Sequence, residues 1–275
     1  MTNRKLKVHL ITQREPFFIP KVVRFLLEHQ SAYKIESYTI LSPPRKDSTI
    51  FDWFIKRFRV YSFWELLIVG SIFICSKLLN LFPVIGSPFS VKGVLKGSGA
   101  QEIETNDINS QEYHSDLEKV DPDIIFSISC PQLFKKDLIN LPEKYCLNAH
   151  GTLLPRHRGV FGTWWTLFEN DSEAGATIHT IELKLDSGKI LWQDSFKIQK
   201  PVTQFSLAYR TKKLFAEGFV DLMHDIASGD EAAVKNEYEE SYHKAPTRKE
   251  GKRFHKQGKR IIVLKDIPMI CSRTF

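Results

Sequence analysis

Three polar side chains in two short segments have the chemistry needed for acyl transfer. Asn148 and His150 are two residues apart, so on a β-strand both side chains would point to the same face of a sheet. Asp186 follows further along the chain. A developing oxyanion needs hydrogen-bond donors, which His150 and Asn148 could supply, and Asp186 could orient His150 and accept a proton. We therefore predict that these three residues are catalytic.

Each of the three residues also has a plainer interpretation when it is considered alone. Asn148 could form a turn at a strand end, and His150 could be a core histidine whose hydrogen bonds are satisfied. Asp186 precedes Ser187 and Gly188, a sequence that is typical of a turn. The catalytic interpretation therefore depends on the sequence around them.

That sequence carries a composite motif in three blocks. The segment from Asn148 to Gly159 reads N-x-H-x-x-L-L-P-x-x-R-G, and it resembles the signature of the folate-dependent formyltransferases. Residues 174–191 resemble the Gly-x-Thr-x-His strand and Asp-x-Gly loop of that family, and residues 121–142 resemble the strand and loop that precede the signature. The family includes methionyl-tRNA formyltransferase, glycinamide ribonucleotide transformylase and the sugar N-formyltransferases. The resemblance covers roughly residues 120–200 and is closest in layout to the sugar enzymes.

The resemblance implies an enzyme that moves a formyl group from 10-formyltetrahydrofolate to a primary amine. It implies that Asn148, His150 and Asp186 are the catalytic residues and that no metal takes part. The pterin would be held by residues of the loop after the preceding strand, by the signature and by the Asp186 loop, namely Ser129, Cys130, Leu133, Leu153, Leu185 and Gly188. His157 stands where many members of the family carry tyrosine.

The acceptor amine is predicted to belong to a nucleotide-linked amino sugar. Arg156, Arg158 and Gly159 would contact this substrate, and a basic segment from Arg248 to Arg260 could bind its diphosphate. Three alternatives stay open: a formyltetrahydrofolate hydrolase, an enzyme like methionyl-tRNA formyltransferase without the tRNA-binding barrel, and a non-catalytic binding module. The basic segment could equally be a solvated surface.

The pattern of apolar residues predicts an α/β fold, a doubly wound and mostly parallel sheet. An alternating strand, a helix and a second strand open the chain, and 123–128 is a continuous apolar run that is typical of a buried parallel strand. Thr203 to Ala227 is predicted to be an amphipathic helix. We expect a catalytic domain over residues 1–227 and a short basic extension over 228–275, with a terminal strand at Ile261–Leu264.

Residues 50–85 form an insert that is rich in aromatic and aliphatic side chains. Its densest apolar run lies between Glu65 and Lys77 and is too short to span a bilayer. Two interpretations remain: a helical hairpin packed on the sheet, which we favour, and an amphipathic surface that contacts a membrane or a partner.

Composition restricts the class of protein only broadly. The chain has 275 residues and a net charge of +7, an excess that suits phosphorylated small molecules, a membrane surface or nucleic acid. We regard nucleic acid as an unlikely partner. The four cysteines include no Cys-x-x-Cys pair, so their spacing predicts no zinc site. The polar N-terminal segment lacks the apolar stretch of a signal peptide, and we expect a cytoplasmic protein.

Overall fold

A mixed β-sheet forms the centre of the protein. The computed structural model describes residues 4–42, 60–81, 89–235 and 237–275. The strands are β1 (Leu6–Gln13), β2 (Tyr33–Leu41), β3 (Gln101–Glu102), β4 (Ile124–Ile128), β5 (Tyr145–His150), β6 (Arg158–Gly159), β7 (Glu173–Thr180), β8 (Ile190–Lys197) and β9 (Tyr242–His243). Seven of them form one sheet in the order β3-β2-β1-β4-β5-β7-β8, and β6 pairs with β9.

The strand directions confirm the predicted sheet. β3, β2, β1, β4 and β5 are parallel neighbours, whereas β7 runs antiparallel to β5 and β8 antiparallel to β7. Helices cover the sheet: α1 (Ile19–Glu28), α2 (Phe63–Leu79), α3 (Val91–Lys96), α4 (Gln111–Val120), α5 (Lys136–Ile139), α6 (Gly162–Phe168), α7 (Gln204–Ser228), α8 (Arg248–Lys256) and α9 (Ile267–Cys271).

The core lies on both faces of the sheet because its central strands are apolar throughout. Every residue of β4 is buried. On one face α1 and α7 pack against the strands, where Phe126 of β4 stacks on Phe219 of α7 with ring centroids 3.9 Å apart. On the other face α4 buries Tyr113 and Leu117. Both faces of a parallel strand are covered in such a fold, which explains the unbroken apolar run.

Two helix boundaries follow from local capping residues. The Ser110 hydroxyl accepts from the Tyr113 N–H at the start of α4, and Thr203 and Ser206 form a reciprocal capping box at the start of α7. Gly229 ends α7 with φ +80°, a left-handed conformation that glycine adopts without strain. The predicted position of α7 is confirmed.

Helix α2 exposes much of its apolar surface. Its buried residues are Glu65, Ile72 and Ser76. The exposed large apolar side chains are Phe63, Trp64, Leu67, Phe73, Ile74, Leu78 and Leu79. Residues 50–59 and 82–85 of the predicted hairpin lie outside the described residues, so the structure describes this insert as a single helix. No helix in the described ranges is long and apolar enough to cross a membrane.

The predicted strand at Ile261–Leu264 is wrong. Ile261 and Ile262 are buried, but the Ile261 N–H donates to the Glu65 carboxylate at 2.7 Å instead of to a sheet. A 3₁₀ turn follows at Leu264–Asp266. A buried carboxylate thus satisfies a backbone donor that a strand partner would otherwise have taken.

The basic C-terminal segment packs on the catalytic region. α8 buries Phe254, whose ring stacks on Trp164 of α6 at 4.9 Å. β9 pairs with β6 inside the motif. The predicted domain division at residue 228 stays a prediction, although residues 242–262 share a core with α6 and the start of α7.

Candidate active site

The sheet register places Asn148 and His150, two of the predicted catalytic residues, at the carboxyl end of β5. In the antiparallel pairing of β5 with β7, Asn148 lies opposite His179 and His150 lies opposite Thr177. Residues opposite each other in a sheet share a face. Asn148, His150, His179 and Thr177 therefore project to the same side, at the carboxyl end of β5, where ligands bind in open α/β sheets.

His179 orients the amide of Asn148. The His179 Nδ1 lies 2.8 Å from the Thr180 carbonyl oxygen, and its Nε2 lies 3.2 Å from Asn148 Nδ2. Burial, reinforced by the nearby His150, lowers the pKa of His179 to about 4. The neutral ring then donates from Nδ1 to Thr180 and accepts from Asn148 at Nε2. One amide hydrogen of Asn148 is left for a further acceptor.

His150 lies between a backbone carbonyl and a carboxylate. Its Nε2 is 3.1 Å from the His157 carbonyl oxygen. Its Nδ1 is 3.8 Å from Asp186 Oδ2, within ion-pair distance. Each ring nitrogen thus faces an oxygen, and an imidazolium would supply an N–H to both. For Nε2 to donate to a substrate oxygen, its bond to His157 has to be exchanged.

Asp186 is fixed by the backbone around it. The Gly159 N–H donates to Asp186 Oδ2 at 2.8 Å, and His179 Nε2 lies 3.8 Å from Oδ1. Asp186 itself has φ +49°, a conformation that short polar side chains tolerate best. A Cβ at Gly188 would lie 1.7 Å from the Thr180 carbonyl oxygen. Only glycine allows the loop to approach β7 this closely, and this approach brings the carboxylate beside both histidines.

Thr177 anchors the motif loop, residues 151–157 between β5 and β6, to the sheet. Its hydroxyl accepts from the Leu154 N–H at 3.1 Å and donates to the Thr152 carbonyl at 2.7 Å. The Gln193 side chain of β8 donates to the same hydroxyl at 2.8 Å. These buried bonds fix the Leu-Leu-Pro segment relative to the predicted catalytic residues.

A cavity of about 350 Å³ opens beside Asp186. Its walls come from the motif loop, the Asp186 loop and the segment before β9, namely Leu154, Pro155, Arg158, Lys184, Asp186, Ser187, Gly188, Ile190, Tyr238 and Glu240. This is the volume of a site for a small organic molecule.

The predicted pterin-binding residues do not all lie at this cavity. Gly188 lines it, whereas Leu153 is buried against Gly175 and Leu185 offers its carbonyl to Arg158. Ser129, Cys130 and Leu133 follow β4. Burial raises the pKa of the Cys130 thiol to about 11, which disfavours its thiolate form. The role of these six positions in pterin binding stays a prediction.

The two arginines of the motif are engaged within the protein. Arg158 is buried and donates to Glu240 and to the Leu185 carbonyl. The Arg156 guanidinium lies 3.5 Å from Asp171 and over the Tyr238 ring at 4.7 Å. Gly159 contacts Asp186 through its N–H. The predicted contact of these three residues with the acceptor stays a prediction, and the geometry shows them supporting the loop.

Sequence reasoning gave too little weight to several residues. His179 and Thr177 lie in the second block, and their two-residue spacing on a strand was the available signal. The cluster of His157, Glu169 and His243 was missed, although their ligand atoms lie within 4.8 Å of one another. Since residues 157 and 243 are far apart in the chain, no local spacing pattern could have indicated it.

Comparison with known families agrees with this geometry. Residues 90–223 match the family model described as formyl transferase. Residues 90–223 are therefore similar to the formyl transferase family. The resemblance predicted from the three sequence blocks is thereby confirmed, and the matched region contains Asn148, His150 and Asp186.

Two related proteins are similar to parts of this chain. The methionyl-tRNA formyltransferase of Akkermansia muciniphila is 27% identical over 148 residues, covering 54% of this chain and 47% of that protein. The bifunctional polymyxin resistance protein ArnA of Wigglesworthia glossinidia brevipalpis is 37% identical over 100 residues, covering 36% of this chain and 15% of that protein. This chain thus spans about half, or less, of the length of these two relatives.

Solved structures confirm the fold of the chain. A sugar N-formyltransferase from a Shewanella species superposes with a TM-score of 0.55 at 16% identity, covering 86% of this chain and 76% of the other. Glycinamide ribonucleotide transformylase 1 from Symbiobacterium toebii superposes with a TM-score of 0.57 at 13% identity, covering 86% of this chain and 93% of the other.

Proposed function

We propose that this protein is an N-formyltransferase that moves a formyl group from 10-formyltetrahydrofolate to the primary amine of a nucleotide-linked amino sugar. The observation that carries the proposal is the convergence of Asn148, His150 and Asp186 at the carboxyl end of β5, with Asp186 in the wall of a cavity for a small molecule. The match to the formyl transferase model over residues 90–223 supports the choice of donor.

The proposed reaction begins when the uncharged amine of the acceptor attacks the formyl carbon. The carbonyl oxygen gains negative charge in the tetrahedral intermediate. The second amide hydrogen of Asn148 and an N–H of His150 would donate to this oxygen, since preorganised donors stabilise such a charge strongly. The C–N bond to the folate then breaks.

Asp186 is suited to carry the proton between the two nitrogens. The attacking amine loses a proton and the folate nitrogen gains one, so the overall step needs no further reactant. Asp186 lines the cavity and lies 3.8 Å from His150. It can accept the proton from the amine, directly or through water, and return it to the leaving nitrogen.

The acceptor is proposed from the size and charge of its surroundings. The cavity of about 350 Å³ has Lys184 at its wall. α8 adds exposed cations at Arg248, Lys249, Lys252 and Arg253. The four α8 side chains suit a diphosphate better than Lys184, whose Nζ lies 3.7 Å from a Glu240 carboxylate oxygen. They also suit it better than the motif arginines, whose guanidinium groups already have carboxylate partners. Sugar N-formyltransferases among the structural neighbours support an amino-sugar acceptor.

A direct experiment incubates the full chain with 10-formyltetrahydrofolate and a panel of acceptors. The panel holds several nucleotide-linked amino sugars, methionyl-tRNA, glycinamide ribonucleotide, and a reaction without amine. Mass spectrometry detects the formyl group on each product, and release of formate is measured in parallel. The proposal predicts a formylated amino sugar. Formylated methionyl-tRNA alone, or formate release that no amine accelerates, would contradict it and favour the tRNA or the hydrolase alternative.

A further inference from the structure

Three potential metal ligands from separate segments converge at His157. His157 Nδ1 lies 3.1 Å from His243 Nε2. Carboxylate oxygens of Glu169 lie 3.9 Å from His157 Nδ1 and 3.5 Å from His243 Nε2. The proposed formyl transfer uses none of these three side chains, so their convergence needs a separate explanation.

Both imidazole rings are held in place by neighbours other than each other. His157 is fully buried, and its Nε2 lies 2.8 Å from Asp171 Oδ2. The His243 ring stacks on Trp165 with centroids 4.3 Å apart. A carboxylate on the far nitrogen of a histidine fixes its tautomer and directs the other lone pair outward, as it does in many metal sites. Here Asp171 leaves Nδ1 of His157 directed at the cluster.

We propose that His157, His243 and Glu169 bind a zinc ion. Two nitrogens at the usual zinc distance in a tetrahedral site are about 3.3 Å apart, close to the 3.1 Å between the two ring nitrogens. Two imidazoles and one carboxylate are a frequent zinc ligand set, with water as the fourth ligand. Glu169 is partly exposed, with 41% of its side chain accessible, so an ion can enter from solvent.

The ion would stabilise the segment, residues 157–159, that contacts His150 and Asp186. The carbonyl of His157 accepts from His150, and the N–H of Gly159 donates to Asp186. Pairing of β6 with β9 joins this segment to Tyr242 and His243. Zinc would therefore link α6, the motif loop and β9 and would hold both catalytic contacts, without touching the transferred group.

The competing explanation is a direct hydrogen bond between two neutral histidines. His243 Nε2–H could donate to His157 Nδ1, with Glu169 nearby as a solvated carboxylate. The two explanations differ in one measurable property: the hydrogen bond needs no ion, whereas the zinc site should bind one equivalent and lose affinity when Glu169 becomes neutral. The proposal departs from the sequence-based expectation of no metal, because the ligands come from three separate segments.

Metal titration of the untagged full chain tests the proposal. After dialysis against a chelator, Zn²⁺ is titrated by calorimetry, and Co²⁺ is added separately to read its visible absorption. We expect one equivalent of each ion and a higher melting temperature with Zn²⁺. Glu169→Gln and His243→Ala should each abolish binding. Asp171→Asn should weaken it about 10- to 100-fold, since the carboxylate acts through His157.

A matched control separates the site from non-specific binding. His29→Gln removes another histidine, which lies at the end of α1 far from the cluster in sequence, and it should bind Zn²⁺ like the unaltered protein. Glu169 is exposed enough that Glu169→Gln should fold, which circular dichroism verifies. Absence of stoichiometric binding in the unaltered protein would overturn the proposal. So would an affinity for Zn²⁺ in Glu169→Gln and His243→Ala that equals that of the unaltered protein.

Discussion

Two polar clusters flank the same short segment, residues 157–159, and they are built in different ways. The first, here called the catalytic cluster, consists of Asn148, His150, His179 and Asp186. The register of β5 and β7 positions its three strand residues, and the close approach of the Asp186 loop to β7 positions the carboxylate. The second, the histidine–glutamate cluster, consists of His157, Glu169 and His243, and it depends on two-residue strands and helix ends.

The difference shows that the two clusters are held in place by different features of the fold. Sheet register fixes the strand residues of the catalytic cluster, because a slip by one residue would turn every side chain to the other face. The large sheet does not constrain the side chains of the histidine–glutamate cluster in this way. A bound ion could hold these side chains in place instead. Changes in the first cluster should therefore act on rate, and changes in the second should act mainly on stability.

The largest expected effect is that of His150→Ala. Loss of an oxyanion donor should lower kcat by roughly 100-fold or more, while the melting temperature changes little because His150 is not in the apolar core. Single-turnover formyl transfer to the acceptor found in the panel measures the rate. The control is His224→Ala, which removes an exposed histidine of α7. A His150→Ala rate equal to that of the control would rule out the proposed role.

A smaller effect on rate is expected for His243→Ala. Without the bound zinc ion, residues 157–159 should shift. The resulting small misplacement of His150 and Asp186 should lower kcat by roughly tenfold. The melting temperature should also fall and should no longer respond to Zn²⁺. Steady-state kinetics and thermal unfolding of the same preparation check this. A loss of rate as large as that of His150→Ala would remove the distinction between the two clusters.

Acid should destabilise the protein through buried neutral histidines. Burial lowers the pKa of His179 to about 4 and that of His9 to about 3, whereas an unfolded histidine titrates near 6.5. Below pH 6.5 these histidines bind protons in the unfolded chain but stay neutral in the folded protein. Their contribution to stability is therefore fully present above that pH and is lost as the pH falls from 6.5 towards 4.

Urea unfolding at pH 7.5, 5.5 and 4.5 measures this loss. His179→Gln should reduce the difference in unfolding free energy between pH 7.5 and pH 4.5, because it removes one of the two groups. His29→Gln, which changes a histidine outside the core, should leave the difference as it is. An identical pH dependence in His179→Gln and the unaltered protein would contradict the assignment of a neutral His179.

The smallest expected effect concerns the exposed cations of α8. Replacing Arg248, Lys249, Lys252 and Arg253 together by glutamine should raise the KM of the acceptor several-fold and leave that of the folate unchanged, because charge-assisted contacts to phosphate would be lost. Steady-state kinetics with both substrates measure the two constants. Unchanged KM values for both would return this face of α8 to a solvated surface.

The sequence predicted what depends on local pattern. The apolar run at 123–128 correctly indicated β4, and the amphipathic pattern from Thr203 to Ala227 correctly indicated α7. Asn148 and His150 were chosen as candidates because a strand places residues two apart on one face. Asp186 was chosen because its block resembles a known loop. Their catalytic role stays a prediction.

The remainder could not be predicted because it depends on contacts between distant segments. Ile261 looked like part of a strand, but the buried Glu65 takes its N–H. Trp64 belongs to an apolar helix, yet 72% of its surface is exposed, since composition does not say which face finds a partner. The pairing of His157 with His243 follows only from the β6–β9 contact.

The central claim is that His150 and Asp186 act as one unit on the transferred formyl group. A double-mutant cycle tests it directly: single-turnover rates of the unaltered protein, His150→Ala, Asp186→Asn and the double variant, each at saturating donor and acceptor. Residues that work as a unit are strongly non-additive. The account predicts that the double variant is no more than about twofold slower than the slower single variant. Rate losses that multiply would contradict it.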